Sequence, residues 1–485
     1  MSDDIETDRR GLLKTLALGA AALGAAGPGL MSSKSAAAAL PAPEAAPRSG
    51  QTEFDVIIIG GGAAGLVAAR ELGQRGQKCL ILEARSRLGG RTFSTEVFGK
   101  RGDVGGQWMH WIQPHAWAEI TRYGLGIMES PGGNPESVGV ITDGKLKTYT
   151  PDESLPLLAQ GAMAVFPENQ TIFARPFEFP NIDAKLISLD KLSVSDRLRA
   201  TELQPIQRTM LEAYYSTAIS GPIDTASVLE QMHWLARANG DSNLLLRACS
   251  QFKLKDGTGA LLGKIAADSK AEIRLDSPVS VVEQVGKRVT VQCEDGTSVS
   301  APLCVVAMPM NCWNDIEWKP GLLPGKRAAA KEGHAGSGFE LHIKVAGRQG
   351  GYLGLGPATA PINIVYTDEI GDTESVMVGM GCAANGLDIN DDAQVTRALQ
   401  MLLPGAKVVE SYAYDWNADP FSKGTWCNYR PGMLTTYGQD MRSQEGRLIF
   451  AGSDIANGWR GFIDGAIETG FRAAREALDI IIKEQ

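Results

Sequence analysis

The first chemistry-bearing run is FDVIIIGGGAAG at 54–65, where Gly60, Gly62 and Gly65 satisfy G-x-G-x-x-G. The first glycine permits a tight turn, and the second lets a pyrophosphate approach the backbone. The third lets a helix pack closely on a strand. Alone this motif is weak. It gains force because a second strand-like run, 78–82, ends in Glu83, a carboxylate placed to bind a ribose hydroxyl. The positioning elements follow from the pattern. Residues 56–59 form an unbroken apolar run, as expected of a parallel strand buried on both faces. Residues 63–75, opening on Ala63 and Ala64, form helix readily, so the helix-terminal N–H groups face the phosphates. The expectation is a dinucleotide-binding βαβ unit.

Composition permits this. The 485 residues suffice for two or three domains, and 44% hydrophobic with 21% charged content is ordinary for a folded chain. A formal net charge of −9 argues against nucleic acid as a partner. The seven cysteines (Cys79, Cys249, Cys293, Cys304, Cys312, Cys382 and Cys427) are odd in number and contain no C-x-x-C, so neither a disulfide framework nor a zinc site is signalled. His110 and His115 lack further ligands at metal-site spacing and read as structural. No metal is expected.

Residues 1–50 read as an address. Arg9-Arg10 precedes a modest Ala/Gly/Leu stretch from 12 to 26, and 36–39 offers small residues for cleavage before a flexible tether. The pattern resembles a twin-arginine export signal, which carries folded, cofactor-loaded proteins to the periplasm. A membrane anchor is the alternative, but the stretch is short, glycine-rich and broken by Pro28. No stable membrane anchor is expected.

Further along, LEARSRLGGRT at 82–92 resembles the second fingerprint of the flavin-containing amine oxidase family, of monoamine and polyamine oxidase type. The resemblance places Ala84, Arg85, Gly90 and Arg91 near the cofactor's ribose and phosphates. It sets Gly105, Gly106 and Gln107 against the flavin ring, with Trp108 walling the pocket. The run 105–126 is especially similar to bacterial amine oxidases of nicotine degradation. Val279 would meet the adenine, and Trp416 in the aromatic run 412–429 would flank the ring system. Strand 447–452 leads to Gly452, Ser453 and Asp454, where Asp replaces the family's usual Glu near the pyrophosphate or ribityl chain. A C-terminal helix starting at Ile463 would stabilise the anionic reduced flavin, its small residues Ala466, Ile467, Gly470, Ala473, Ala474, Ala477 and Leu478 forming a packing face.

The resemblance implies an α/β fold: a Rossmann-type FAD-binding domain built from discontinuous segments (51–129, 250–320, 424–485), with an α+β substrate-binding domain inserted (130–249, 321–423). Helices are expected at 195–211 and 225–239. Tyr214, Tyr215 and Trp234 could line a pocket, but aromatic residues in such a stretch are more often simple core.

The implied activity is oxidative deamination by hydride transfer to flavin N5. Trp426 and Phe462 would flank the amine, and an aromatic slot favours the neutral form the reaction needs. In the alternating strand 339–345, Glu340 stands where relatives commonly carry a lysine. It would attract an ammonium or accept its proton, unless it faces solvent on a sheet edge. Thr425 precedes Trp426 where covalent-flavin relatives place a cysteine, and Cys427 comes two places late, so FAD is expected without a covalent link. The expected substrate is a small-molecule amine, a secondary amine or alkaloid intermediate. The acceptor stays open between O2 and an electron-transfer protein such as a cytochrome, and a homodimer is one possible assembly. The alternatives are an amino-acid oxidase, for which Arg460 is the nearest carboxylate clamp, a carbon–carbon desaturase, or a flavin-binding partner without turnover.

Overall fold

The computed structural model describes residues 53–484. The export signal and tether read at 1–50 lie outside these described residues.

A five-stranded parallel sheet runs in the order Leu448–Phe450, Leu303–Val306, Val56–Ile59, Cys79–Leu82, Glu272–Arg274. Val56–Ile59 is central, and the unbroken apolar run that announced it is buried at every position. Helix Ala63–Gly73 follows directly and ends slightly before the reading, where residues 74–76 close a turn through Gly76 (φ +82°). The C-terminal helix Ile463–Glu484 packs on it through the small-residue face. A Cβ built at Gly470 would lie 2.6 Å from the Ala64 carbonyl oxygen, so that crossing admits only glycine.

A seven-stranded sheet forms the second layer system, in the order Val408–Ala413, Gly338–Ala346, Glu374–Cys382, Ile364–Ile370, Tyr352–Leu355, Ser137–Thr142, Lys145–Tyr149. Helices lie against it. The stretch expected as one helix at 195–211 is two, Val194–Ala200 and Pro205–Ile219, because Pro205 occupies the first turn of a new helix. The next helix is Val228–Arg237, begun by Ser227, whose side chain accepts from the Leu229 N–H. Ser298–Ala301 pairs with Arg288–Cys293, whereas the next strand, Leu303–Val306, joins the parallel sheet.

Strand Gly338–Ala346 shows the alternation read from its sequence, but it is interior, flanked by Glu374–Cys382 and Val408–Ala413. That removes the solvent-edge alternative for Glu340. Among the described residues, all seven cysteines are free, no cluster of metal-ligating side chains occurs, and no helix is long and apolar enough to cross a membrane.

Candidate active site

The loops at the carboxyl ends of the parallel strands and one face of the seven-stranded sheet enclose a cavity of about 500 Å³, within the range of roughly 300–1,000 Å³ usual for ligand sites. Its walls include Gly60, Gly62, Ala63, Ala64, Glu83, Ala84, Arg85, Gly90 and Arg91 from the first βαβ unit. Gly105, Gly106, Gln107, Trp108, Val279, Glu340, Trp416, Trp426, Gly452, Ser453, Phe462 and Ile463 complete the set brought together. Gly65 and Asp454 do not line it.

The glycine turn makes the cradle. Gly60 has φ +104°, and a Cβ there would sit 2.7 Å from the Ala307 carbonyl oxygen. Gly62 caps helix Ala63–Gly73 without a side-chain hydrogen bond, leaving the first-turn amides to a ligand. Glu83 holds the turn from the other side: Oε2 accepts from Gly61 N–H at 2.7 Å and Oε1 from Arg85 N–H at 2.9 Å. Burial raises its pKa against those amides, and each oxygen keeps a lone pair for a ribose hydroxyl. These features fit a dinucleotide.

The two arginines border the cavity where the resemblance placed them, and each is ion-paired within the protein. Arg85 pairs with Asp419 at 2.6 Å and donates to Ser422 Oγ at 2.9 Å. Arg91 pairs with Asp454 at 2.5 Å and donates to Ser453 Oγ and the Thr425 carbonyl, both at 2.9 Å. Both side chains border the cavity, but their charges are already met. They clasp distant chain segments together. Asp454, by contrast, does not reach the cavity where the resemblance placed it. It is 2% exposed and spends its other oxygen on Met310 N–H at 3.0 Å, so it supports Arg91 from behind instead of reaching into the cavity. The shorter Asp side chain accounts for this.

Trp416 is fixed by its Nε1–H, which donates to the Val104 carbonyl at 2.9 Å. Trp426 Nε1–H donates to the Ala218 carbonyl at 2.8 Å. The turn at Gly461 (φ +83°) backs onto Trp426 and delivers Phe462, whose ring stands edge-on to Trp234 at 4.7 Å and Trp459 at 5.0 Å. Glu340 Oε1 accepts from Gln107 Nε2–H and lies 3.3 Å from His342 Nε2. Burial would lower the His342 imidazole, but Glu340 and Asp368 outweigh it and hold it above its ordinary value.

Tyr214 and Trp234 line the cavity, whereas Tyr215 is core. Arg460 does not line it. This residue is fully buried, ion-paired with Glu230 and stacked 4.0 Å from the Tyr429 ring, so it clamps no carboxylate there. The sequence reading missed Leu353, Ile364, Tyr366 and Met380, which line the cavity from the seven-stranded sheet. Alternation in IVYTDEI at 364–370 was the available signal for that strand.

Residues 63–478 match the family described as flavin containing amine oxidoreductase. The chain belongs to that family. It is 39% identical over 474 residues to pseudooxynicotine dehydrogenase of a Pseudomonas species, covering 96% of this chain and 95% of the relative. It is 34% identical to nicotine dehydrogenase of Pseudomonas putida, covering 99% and 100%. Among solved structures, cyclohexylamine oxidase from Brevibacterium oxydans superposes with a TM-score of 0.76 at 22% identity, covering 88% of this chain and 99% of that one. The fold is therefore the FAD-binding and substrate-domain architecture of this family. As a flavin-containing amine oxidoreductase, the protein is an enzyme acting on CH–NH bonds of amines, and its family binds FAD.

Proposed function

We propose that this amine oxidoreductase acts on a secondary amine of the alkaloid-intermediate class, taking hydride from the carbon bearing nitrogen. Water then hydrolyses the imine to a carbonyl compound and a smaller amine. FAD, when bound, supplies the two-electron acceptor for that hydride. The observation that carries the reading is that Glu340, Trp426 and Phe462 line the same cavity as the glycine cradle. The similarity to pseudooxynicotine and nicotine dehydrogenases supports the substrate class.

The chain's own residues divide the work. An aliphatic ammonium has a reference pKa of about 10, and only the neutral amine has a lone pair to drive hydride loss. The Glu340 carboxylate draws the cation in. Trp426 and Phe462 exclude water and stabilise the neutral amine. Anaerobic titration with primary, secondary and tertiary amines tests the proposal: secondary methylamines should bleach the flavin absorbance, and failure across all three classes overturns it. Glu340→Gln should raise KM for a secondary amine by about ten- to a hundredfold, the worth of a charge-assisted hydrogen bond of about 1.5–3 kcal/mol. Its check is steady-state kinetics at fixed pH, and an unaltered KM removes Glu340 from substrate binding.

Non-covalent FAD is part of this proposal. Cys427 is buried with its Sγ 3.9 Å from the Asp454 carbonyl and does not border the cavity, so acid precipitation should release the chromophore. Both relatives are named dehydrogenases, which favours an electron-transfer protein as acceptor. Slow reoxidation after mixing with O2 is then expected. Periplasmic export rests on Arg9-Arg10 and the stretch behind it, and cell fractionation with Arg9→Lys and Arg10→Lys together tests it. The amino-acid oxidase alternative loses its support with Arg460 committed to Glu230.

A further inference from the structure

Glu340 uses its two oxygens unequally. Oε1 takes both of its protein contacts, the Gln107 Nε2–H and His342 Nε2 at 3.3 Å. Among the described residues Oε2 has no hydrogen-bond or ion-pair partner, so it is the oxygen left to a ligand of the cavity that Glu340 lines. Glu340 and His342 stand on the same face of strand Gly338–Ala346, and the imidazole is 5% exposed. Its Nε2 makes no aligned hydrogen bond, so the contact with Glu340 is one of charge. No other cationic side chain among the described residues lies within ion-pair distance of that carboxylate.

The other groups facing His342 have settled charges. Asp368 on Ile364–Ile370 holds Lys253 of Phe252–Leu254 through both oxygens, at 2.6 and 2.7 Å. Tyr366 and Tyr412 lie in the pairing rows that cross His342, and burial pushes both phenols up, so they stay neutral. Strand Glu374–Cys382 brings only Val378 opposite it. Lys344, next on the same face, lies 3.5 Å from Glu410. Against burial, which lowers it, Glu340 and then Asp368 hold the imidazole above its ordinary value, and Lys253 offsets only part of this. His342 is thus the group beside Glu340 whose charge changes near neutral pH. An imidazolium there supplies the same counter-charge that a substrate ammonium would bring.

We propose, resting on the amine-oxidising reading above, that His342 is a positioning residue whose proton competes with the substrate's ammonium for Glu340. With the cation seated at Oε2, the imidazolium gives a ring proton to solvent, one cation in and one proton out. The coupling is reciprocal: whatever factor the proton costs the cation, the cation costs the proton.

Two probes test this on the purified FAD holoenzyme. Choline carries a fixed positive charge with no lone pair on nitrogen, and neohexyl alcohol is its uncharged carbon isostere. Flavin absorbance titrations read their Kd. For choline, Kd should fall by about tenfold or more between about pH 6 and about pH 9, a window spanning a histidine held above its reference of about 6.5, whereas neohexyl alcohol should stay level. Calorimetry in buffers of different ionisation enthalpy should show choline binding releasing protons at the acid end. His342→Gln should bind choline equally across the range, near the tight wild-type limit. A choline Kd level with pH, or a pH effect that survives in His342→Gln, overturns the proposal, and the amine reading stands if Glu340→Gln still weakens choline. Choline bound no more tightly than its isostere at any pH overturns both the competition and Glu340's part in that reading. The wild-type profile with the two probes decides the matter even where His342→Gln fails to fold.

Discussion

Gly65→Ala should yield a chain that accumulates poorly and purifies without FAD. A Cβ at Gly65 would sit 2.1 Å from the Gly60 carbonyl oxygen and 3.1 Å from Ile58 Cγ2. The obstacle is backbone, which has no rotamer to retreat into. Ala63–Gly73 would have to lift off the central strand, but the C-terminal helix presses on its other side at Gly470. Overpacking of a tight core typically costs about 1–3 kcal/mol and more where nothing yields. Here the displaced element also carries the phosphate-facing amides, so binding falls with stability. Gly263→Ala is the matched control. It lies in helix Thr258–Ser269, a Cβ there meets nothing within 4 Å, and it should be neutral or gain about 0.5–1 kcal/mol. Flavin-to-protein absorbance ratio and thermal midpoint check both, and a yellow, stable Gly65→Ala protein would contradict the packing described.

Asp454→Ala should lower stability by about 3–5 kcal/mol, the usual cost of stranding one member of a buried ion pair. Arg91 would keep Ser453 Oγ and the Thr425 carbonyl but lose its counter-charge. Because Thr425 adjoins Trp426, the aromatic wall should loosen as well, and flavin absorbance bands should broaden. The pH dependence has a definite sign. Burial pushes the Asp454 carboxyl up, but Arg91 beside it, helped by His334, outweighs burial and holds it below its ordinary value. A carboxyl with a lowered folded pKa stabilises the fold above its unfolded value of about 3.9 and loses that contribution as pH falls through the folded value. Wild type should therefore lose stability progressively below about pH 4, and Asp454→Ala should show a shallower acid limb. Urea titrations across that range measure it.

The parts of the fold most legible in the sequence were those where one physical constraint dominates. Ile57 and Ile58 must be apolar because both faces of their strand are covered, and Gly60 must be glycine because its φ is positive. Glu340's alternation announced a strand, yet whether it faced water depended on partners Glu374–Cys382 and Val408–Ala413, far along the chain. Pairing of that range leaves no local trace. The arginines are opaque for a related reason. Arg85, Arg91 and Arg460 each find a carboxylate supplied by another segment, Asp419, Asp454 and Glu230, so residue type alone could not say whether their charge was free. Tyr214 and Trp234 looked the same as core aromatics because the property that separates them, a ring bordering the cavity, exists only once neighbours are in place.

The strand order of the parallel sheet also constrains how the molecule comes into being. Its middle member emerges from the ribosome long before the outer member Leu448–Phe450 and the Gly452, Ser453 and Phe462 that follow it. A partly synthesised chain thus holds the amides of the glycine turn without the opposite bank of the cleft. The two banks of the cleft therefore come together only once the outer strand has been made.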